Sequence, residues 1–115
     1  MGGLNRSILA GRLVADPEVR YTQNETAVAH FRLAINRSSS NSAEFINCVA
    51  FGGLAKICGE YLKKGKLVAV EGRIQIRSYE SKEGVKRSTT EVVIDNMQML
   101  DSKFYNASSK AEEKS

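Results

Sequence analysis

A stretch with a two-residue period, residues 68–79, constrains the fold of this chain most strongly. Apart from Gly72, its even positions are apolar and β-branched as far as residue 76: Val68, Val70, Ile74 and Ile76. Its odd positions from residue 71 are polar or aromatic: Glu71, Arg73, Gln75, Arg77 and Tyr79. Successive side chains of a strand point to opposite faces of a sheet. The stretch therefore predicts a strand whose even face lies in the core and whose odd face has the character of a binding surface.

A charged hairpin follows this strand. The chain turns through residues 80–84 and returns through Val85, Lys86 and Arg87, as expected for two strands joined by a short polar loop. Residues 63–87 contain eight lysines and arginines against three glutamates, a net +5, whereas the whole chain carries +4. The positive charge is thus concentrated beside the odd face, and this favours an anionic partner.

The length and composition exclude several classes of protein. With 115 residues, 42% of them hydrophobic, the chain is expected to form one domain with a modest core. No apolar run approaches the roughly 20 residues that a membrane-spanning helix needs. The first six residues also lack the apolar region of a signal peptide. A cytoplasmic protein is therefore expected.

Neither catalytic nor metal-binding patterns are found in the sequence. Cys48 and Cys58 lack CxxC spacing and nearby histidines, so they are predicted to be two buried thiols. His30 is the only histidine and is predicted to be a surface residue of a strand. No Ser/His/Asp or Cys/His set and no glycine-rich phosphate loop is evident. We therefore expect no enzyme activity, no metal and no cofactor.

The rest of the chain predicts short strands and one helix. The other strands are predicted at residues 4–14, 27–36, 44–51 and 88–95, the last either continued or followed by a short extra strand over residues 96–100. Residues 16–18 and 21–25 are predicted to be a turn and a loop, and Gly11 a bulge or sharp bend. Residues 1–102 are the predicted domain, and residues 103–115 a polar, disordered tail.

The predicted helix covers residues 53–64. Its apolar residues recur with helical spacing: Leu54, Ile57, Cys58, Tyr61 and Leu62. Lys63, Lys64 and Gly65 are typical of a helix C-terminus. The apolar stripe is expected to close one end of a barrel, with Tyr61 in the core.

The third strand carries two alternating sets of side chains. Because the smaller set (Ile46, Cys48 and Ala50) fits more readily inside a barrel, Phe45, Asn47 and Phe51 are predicted to face outward. The alternative, in which both phenylalanine rings belong to the core, remains open on pattern alone.

The order of elements, three strands, a helix and two strands, is that of the OB-fold, an all-β, five-stranded Greek-key barrel with one helix between strands 3 and 4. The connections between strands are too brief for parallel crossovers. Such barrels bind oligonucleotides on a face around strands two and three. Rings that stack on bases, together with cations that follow the phosphates, are the components of single-strand binding. An OB-fold module that binds RNA or a protein shares these features and is the alternative.

Several motifs occur in a fixed order along the chain: Asn5 and residues 11–13, 16–22, 45–47, 51–52, 60–65, 70–73 and 89–93. Together they resemble the motifs of the bacterial single-stranded DNA-binding proteins, and the resemblance spans residues 4–100. It implies a homotetramer that wraps single-stranded DNA in replication, recombination and repair. It also implies that Phe45, Phe51 and Tyr79 stack on bases and that Lys64 and Arg77 lie along the DNA. The full set of candidate contacts is Arg37, Phe45, Asn47, Phe51, Lys64, Arg73, Gln75, Arg77, Tyr79, Lys86 and Arg87.

The chain departs from this family pattern in two places. Many members have an aromatic residue in the loop after the second strand, where this chain has Ser38, Ser39 and Ser40. The typical tail ends in acidic residues and a Pro-Phe tip that recruits partner proteins, whereas this chain ends Ser-Lys-Ala-Glu-Glu-Lys-Ser. This ending is compatible with a short paralogue and with a shortened chain, so tail-mediated recruitment of replication and repair proteins does not follow from the resemblance.

Overall fold

Two long strands joined by the charged hairpin form the centre of the sheet. The computed structural model describes residues 2–38 and 41–100, so the predicted tail, Ser39 and Ser40 lie outside the described residues. The elements in chain order are β1 (Ser7–Leu13), β2 (Glu18–Tyr21), β3 (Ala27–Asn36), β4 (Ala43–Phe51), α1 (Gly52–Tyr61), β5 (Leu67–Glu80) and β6 (Lys86–Met99).

The strands form one closed sheet in the order β1-β5-β6-β4-β3-β2. Closure comes from β1, which pairs with β5 along most of its length and with β3 at Arg12 and Leu13. Gly11 lies at this change of partner, where a side chain would meet the Ala34 carbonyl oxygen of β3 at 2.6 Å. The closed sheet, with one helix between β4 and β5, is the OB-fold that the sequence predicts.

The structure corrects two details of the predicted topology. The turn was expected to include Glu18 and the loop to begin at Tyr21, with no strand between them, but residues 18–21 form β2, which pairs with β3 and places Val19 against the core. Parallel pairing was not expected, yet β4 and β6 run parallel, because α1 and β5 together provide a connection long enough for the crossover.

A bulge in β6 lets one strand run the whole length of β5. Glu71 pairs with Asn96 and the next residue, Gly72, pairs with Ile94, so Asp95 is left as an extra residue. The core positions of β6 therefore change from even numbers, as at Ile94, to odd numbers, as at Met97. Residues 96–99 accordingly continue the strand, one of the two outcomes that the sequence left open.

The prediction that the even face of β5 is core throughout is wrong beyond Gly72. Val68 and Val70 are buried, but Ile74 is 45% exposed and Ile76 is 65% exposed. The reason is the length of β1, whose pairing with β5 ends at Gly72. Residues 76–80 and 86–90 then extend beyond the barrel as a two-stranded ribbon, which we call the hairpin arm.

The helix is shorter than predicted and Tyr61 is not a core residue. The helix ends at Tyr61, because Leu62 adopts an extended conformation that places its side chain in the core. Ala55 and Cys58 are the buried residues of α1, whereas Tyr61 is 50% exposed and Ile57 is also exposed. Lys63 and Lys64 consequently follow the helix and do not belong to its last turn.

Candidate nucleic-acid interface

Side chains of four neighbouring strands share one outer surface of the barrel, which we call the outer face. It consists of the even-numbered residues of β3, the odd-numbered residues of β4, and the odd-numbered residues of β5 and β6 in the range 73–93. The strand register aligns one row across all four strands, which runs Arg32, Asn47, Glu91 and Gln75. Side chains from distant parts of the sequence thereby become neighbours.

Three aromatic rings on this face are accessible to solvent. Phe45 and Tyr79 are each 52% exposed and Phe51 is 44% exposed. Phe45 and Phe51 belong to β4, with Asn47 between them, and Tyr79 belongs to the hairpin arm. The prediction that the two phenylalanine rings face outward is therefore confirmed. Val49 shares their alternation but is buried, because it packs with Val28 and Val93 in a small separate cluster.

Arg32 is a residue of the outer face that sequence reasoning did not select. Its guanidinium carbon lies 5.1 Å from the centre of the Phe45 ring, which is the geometry of a cation–π contact. The sequence shows that Arg32 is on the polar side of its strand. Only the register, which puts Phe45 opposite Ala34 and Asn47 opposite Arg32, shows that the arginine reaches this ring.

Glu91 is the second residue that sequence reasoning missed, and it is the buried charged residue of the described chain. Its Oε1 atom lies 2.7 Å from Nε of Arg77 and accepts a hydrogen bond from Nε2 of Gln75 at 3.2 Å. Only 6% of its side chain is exposed, whereas the Arg77 side chain is 53% exposed. The buried carboxylate of Glu91 therefore contacts two of the predicted contact residues, Arg77 and Gln75.

Comparison with known proteins identifies the family of the chain. The model of the single-strand binding protein family matches residues 4–100. The chain belongs to that family.

Bacterial relatives agree with the family assignment. The chain is 50% identical over 103 residues to a single-stranded DNA-binding protein of Halalkalibacterium halodurans, covering 85% of this chain and 61% of the relative. It is 48% identical over 105 residues to the protein of the same name from Oceanobacillus iheyensis, covering 87% and 65%. A namesake from Staphylococcus aureus is 48% identical over 108 residues, covering 90% and 69%. The chain therefore spans less than two thirds of the length of the first two relatives.

Two further arginines lie on the outer face of this member of the single-strand binding protein family. Arg73 is on β5, opposite Val93, and Arg87 is on β6, opposite Tyr79. Both are exposed, and neither forms an ion pair with any other residue that the structure describes. Their charges are available to an anionic ligand.

Three candidate residues lie away from this cluster. Lys86 is opposite Glu80, so alternation places it on the other face of the hairpin arm. Arg37 follows β3 and forms an exposed ion pair with Glu44 at 2.7 Å. Lys64 follows the helix, where its backbone N–H donates to Oδ1 of Asp16 at 2.9 Å.

A groove of about 440 Å³ lies along the outer face and extends to residues 14–18. Its polar lining combines His30, Arg32, Asn47 and Thr89 with the carboxylates of Asp16, Glu18 and Glu91. The Asn47 amide and the Arg32 guanidinium supply hydrogen-bond donors between the exposed rings. The face therefore combines stacking surfaces, donors and unpaired cations, which is suited to a flexible polyanion with planar groups.

The two cysteines are buried and the histidine is exposed, as the sequence predicts. Cys48 and Cys58 are free and buried, and burial raises their pKa to about 12 and about 11 respectively. His30 is exposed on β3. Within residues 2–38 and 41–100 no group of three or more potential metal ligands is found, and no helix is long and apolar enough to cross a membrane.

Proposed function

We propose that this chain binds single-stranded DNA without sequence preference, through the outer face of residues 1–102. The observation that carries the proposal is the presence of three solvent-accessible rings, Phe45, Phe51 and Tyr79, on one continuous face with Arg73 and Arg87. The family assignment and the names of the relatives support it.

The proposed mechanism has two components. Each ring offers a flat surface to a base, and stacking is worth about 1–3 kcal/mol per base whatever the base is. The cations attract phosphates and release their counterions. Because a duplex keeps its bases stacked on one another, only a single strand can use the rings. The chain is proposed to act by binding, not catalysis, in replication, recombination and repair within the bacterial cytoplasm.

We further propose that the functional form is a homotetramer. Large apolar side chains are exposed on β1 and at the base of the hairpin arm, among them Ile8 at 73%, Ile74 at 45% and Ile76 at 65%. Residues 7–11 of β1 pair only with β5, so within the described chain their other edge has no strand partner. An unpaired edge beside apolar side chains favours pairing with a second copy of the chain.

Competition between matched strands tests the proposed ligand. A fluorescently labelled oligo-dT is bound first, and unlabelled DNA or RNA of equal length and sequence is then added while anisotropy is followed. We expect the DNA competitor to displace the probe at lower concentration. Displacement by RNA at lower concentration than by DNA would favour the alternative of an RNA-binding module, since stacking and charge alone do not require DNA.

A further inference from the structure

Arg77 differs from Arg73 and Arg87, the other arginines of β5 and β6, because it forms an ion pair with a described residue. Arg73 lies on the same strand and face, four residues earlier, and forms no ion pair with a described residue. Arg77 instead directs its Nε atom at Oε1 of Glu91, at 2.7 Å. The two arginines are therefore not equivalent contacts for a phosphate chain.

The burial of Glu91 makes this pair difficult to separate. Its side chain is 6% exposed, and its described partners are Arg77 and Gln75, of which only Arg77 is charged. If Arg77 turned to a phosphate, an unpaired carboxylate would remain beneath the face, and removing one partner of a buried pair is strongly unfavourable. A polyanion above the carboxylate would add repulsion. The free energy gained from an exposed arginine–phosphate contact is much smaller than the cost of separating the buried pair.

The geometry points to Glu91 as a positioning residue that compensates the charge of Arg77 and fixes its guanidinium on the outer face. This inference rests on the proposed function and refines it. Arg77 then acts as an oriented, planar donor beside Tyr79, two residues further along β5. It does not act as a cation that releases counterions from a phosphate. Arginines that have no acidic partner among the described residues, such as Arg73, perform that role.

The dependence of affinity on salt separates these roles. For single strands, log affinity falls against log salt with a slope of about 0.7 per phosphate neutralised. The experiment compares the unaltered protein with Arg73→Gln, with Glu91→Gln and with the double variant Arg77→Gln/Glu91→Gln. The double variant removes both members of the pair, so it leaves no unpaired buried charge and does not change the net charge. Thermal unfolding of each variant shows whether it is folded.

We expect Arg73→Gln to reduce the slope by about 0.7, and the double variant to bind more weakly with an unchanged slope. Glu91→Gln should steepen the slope by about the same amount, since it releases the charge of Arg77. A Glu91→Gln slope equal to that of the unaltered protein would overturn the inference, because Glu91 would then have a purely structural role. A slope reduced equally by the double variant and by Arg73→Gln would overturn the inference. Failure of the proposed function would be seen separately, as no binding of oligo-dT by the unaltered protein.

Discussion

Aromatic residues of similar exposure have different surroundings in this chain. Phe45 and Tyr79 lie on the outer face among arginines, whereas Tyr61, equally exposed, lies at the end of the helix. Exposure alone therefore does not identify a contact residue. What distinguishes the two rings is the register that joins four strands into one surface.

This difference gives a prediction for single substitutions. Phe45→Ala, Phe51→Ala and Tyr79→Ala should each weaken oligo-dT binding by about 1–3 kcal/mol, because each removes a stacking surface. Tyr61→Ala is the matched control and should leave affinity unchanged. Fluorescence anisotropy gives the affinities and circular dichroism checks the fold. Equal losses for Tyr61 and Phe45 would mean that the rings of the outer face have no special role.

The two thiols give a prediction about pH. Burial raises the pKa of Cys48 to about 12 and that of Cys58 to about 11, above the value near 8.5 of an unfolded thiol. Above that lower value the unfolded chain loses thiol protons that the folded chain retains, so the free energy of unfolding falls as pH rises. We expect this fall between about pH 9 and pH 11 in urea titrations. Cys48→Ala should make the dependence shallower, and an unaltered dependence would contradict the assigned burial.

At the level of secondary-structure elements, the register shift between β5 and β6 coincides with a close approach of the two strands at Gly72. The backbones approach so closely at Gly72 that a Cβ atom there would overlap the Val93 carbonyl oxygen. Gly53, at the start of the helix, has no atom within 4 Å of the corresponding position. The same substitution should therefore have opposite effects at the two sites.

Gly72→Ala should destabilise the domain by about 1–3 kcal/mol or more, since the backbones must separate. Gly53→Ala should be neutral or stabilising by up to about 1 kcal/mol, because it restricts the unfolded chain without a clash. Thermal unfolding of the two variants measures both effects. If Gly72→Ala is as stable as Gly53→Ala, the close approach of the two strands is absent in solution.

Apart from β2, the sequence predicts the type of the elements better than it predicts their surroundings. Strand β3 is found at the predicted residues because its apolar residues alternate cleanly. The two-residue period of β5 continues unbroken past Gly72, yet the core does not, because the end of β1 decides how much of β5 is covered. Helix periodicity likewise includes Tyr61 and Leu62, although only Leu62 is buried. The strand register, which the sequence does not reveal, is what identifies Glu91 and Arg32 as neighbours of the predicted contact residues.

At the level of the whole molecule, exposed apolar side chains lie on β1 and near its edge, which has no strand partner at residues 7–11 in the described part of the chain. If copies of the chain associate there, Ile76→Glu should place a charge in the interface and lower the mass measured by light scattering below that of a tetramer. Ile57→Glu, on the exposed side of the helix, is the control and should leave the tetramer intact. A monomeric unaltered protein at micromolar concentration would exclude the proposed assembly.

The chain should bind single strands selectively, because its exposed rings and cations share one face. The most direct test measures affinity for an oligo-dT and for a duplex of equal length over a series of salt concentrations. We predict tight binding of the single strand, weak binding of the duplex, and log affinity that falls linearly with log salt by about 0.7 per phosphate neutralised. Equal affinity for the duplex, or single-strand binding that is insensitive to salt, would contradict the proposed binding through the rings and cations of the outer face.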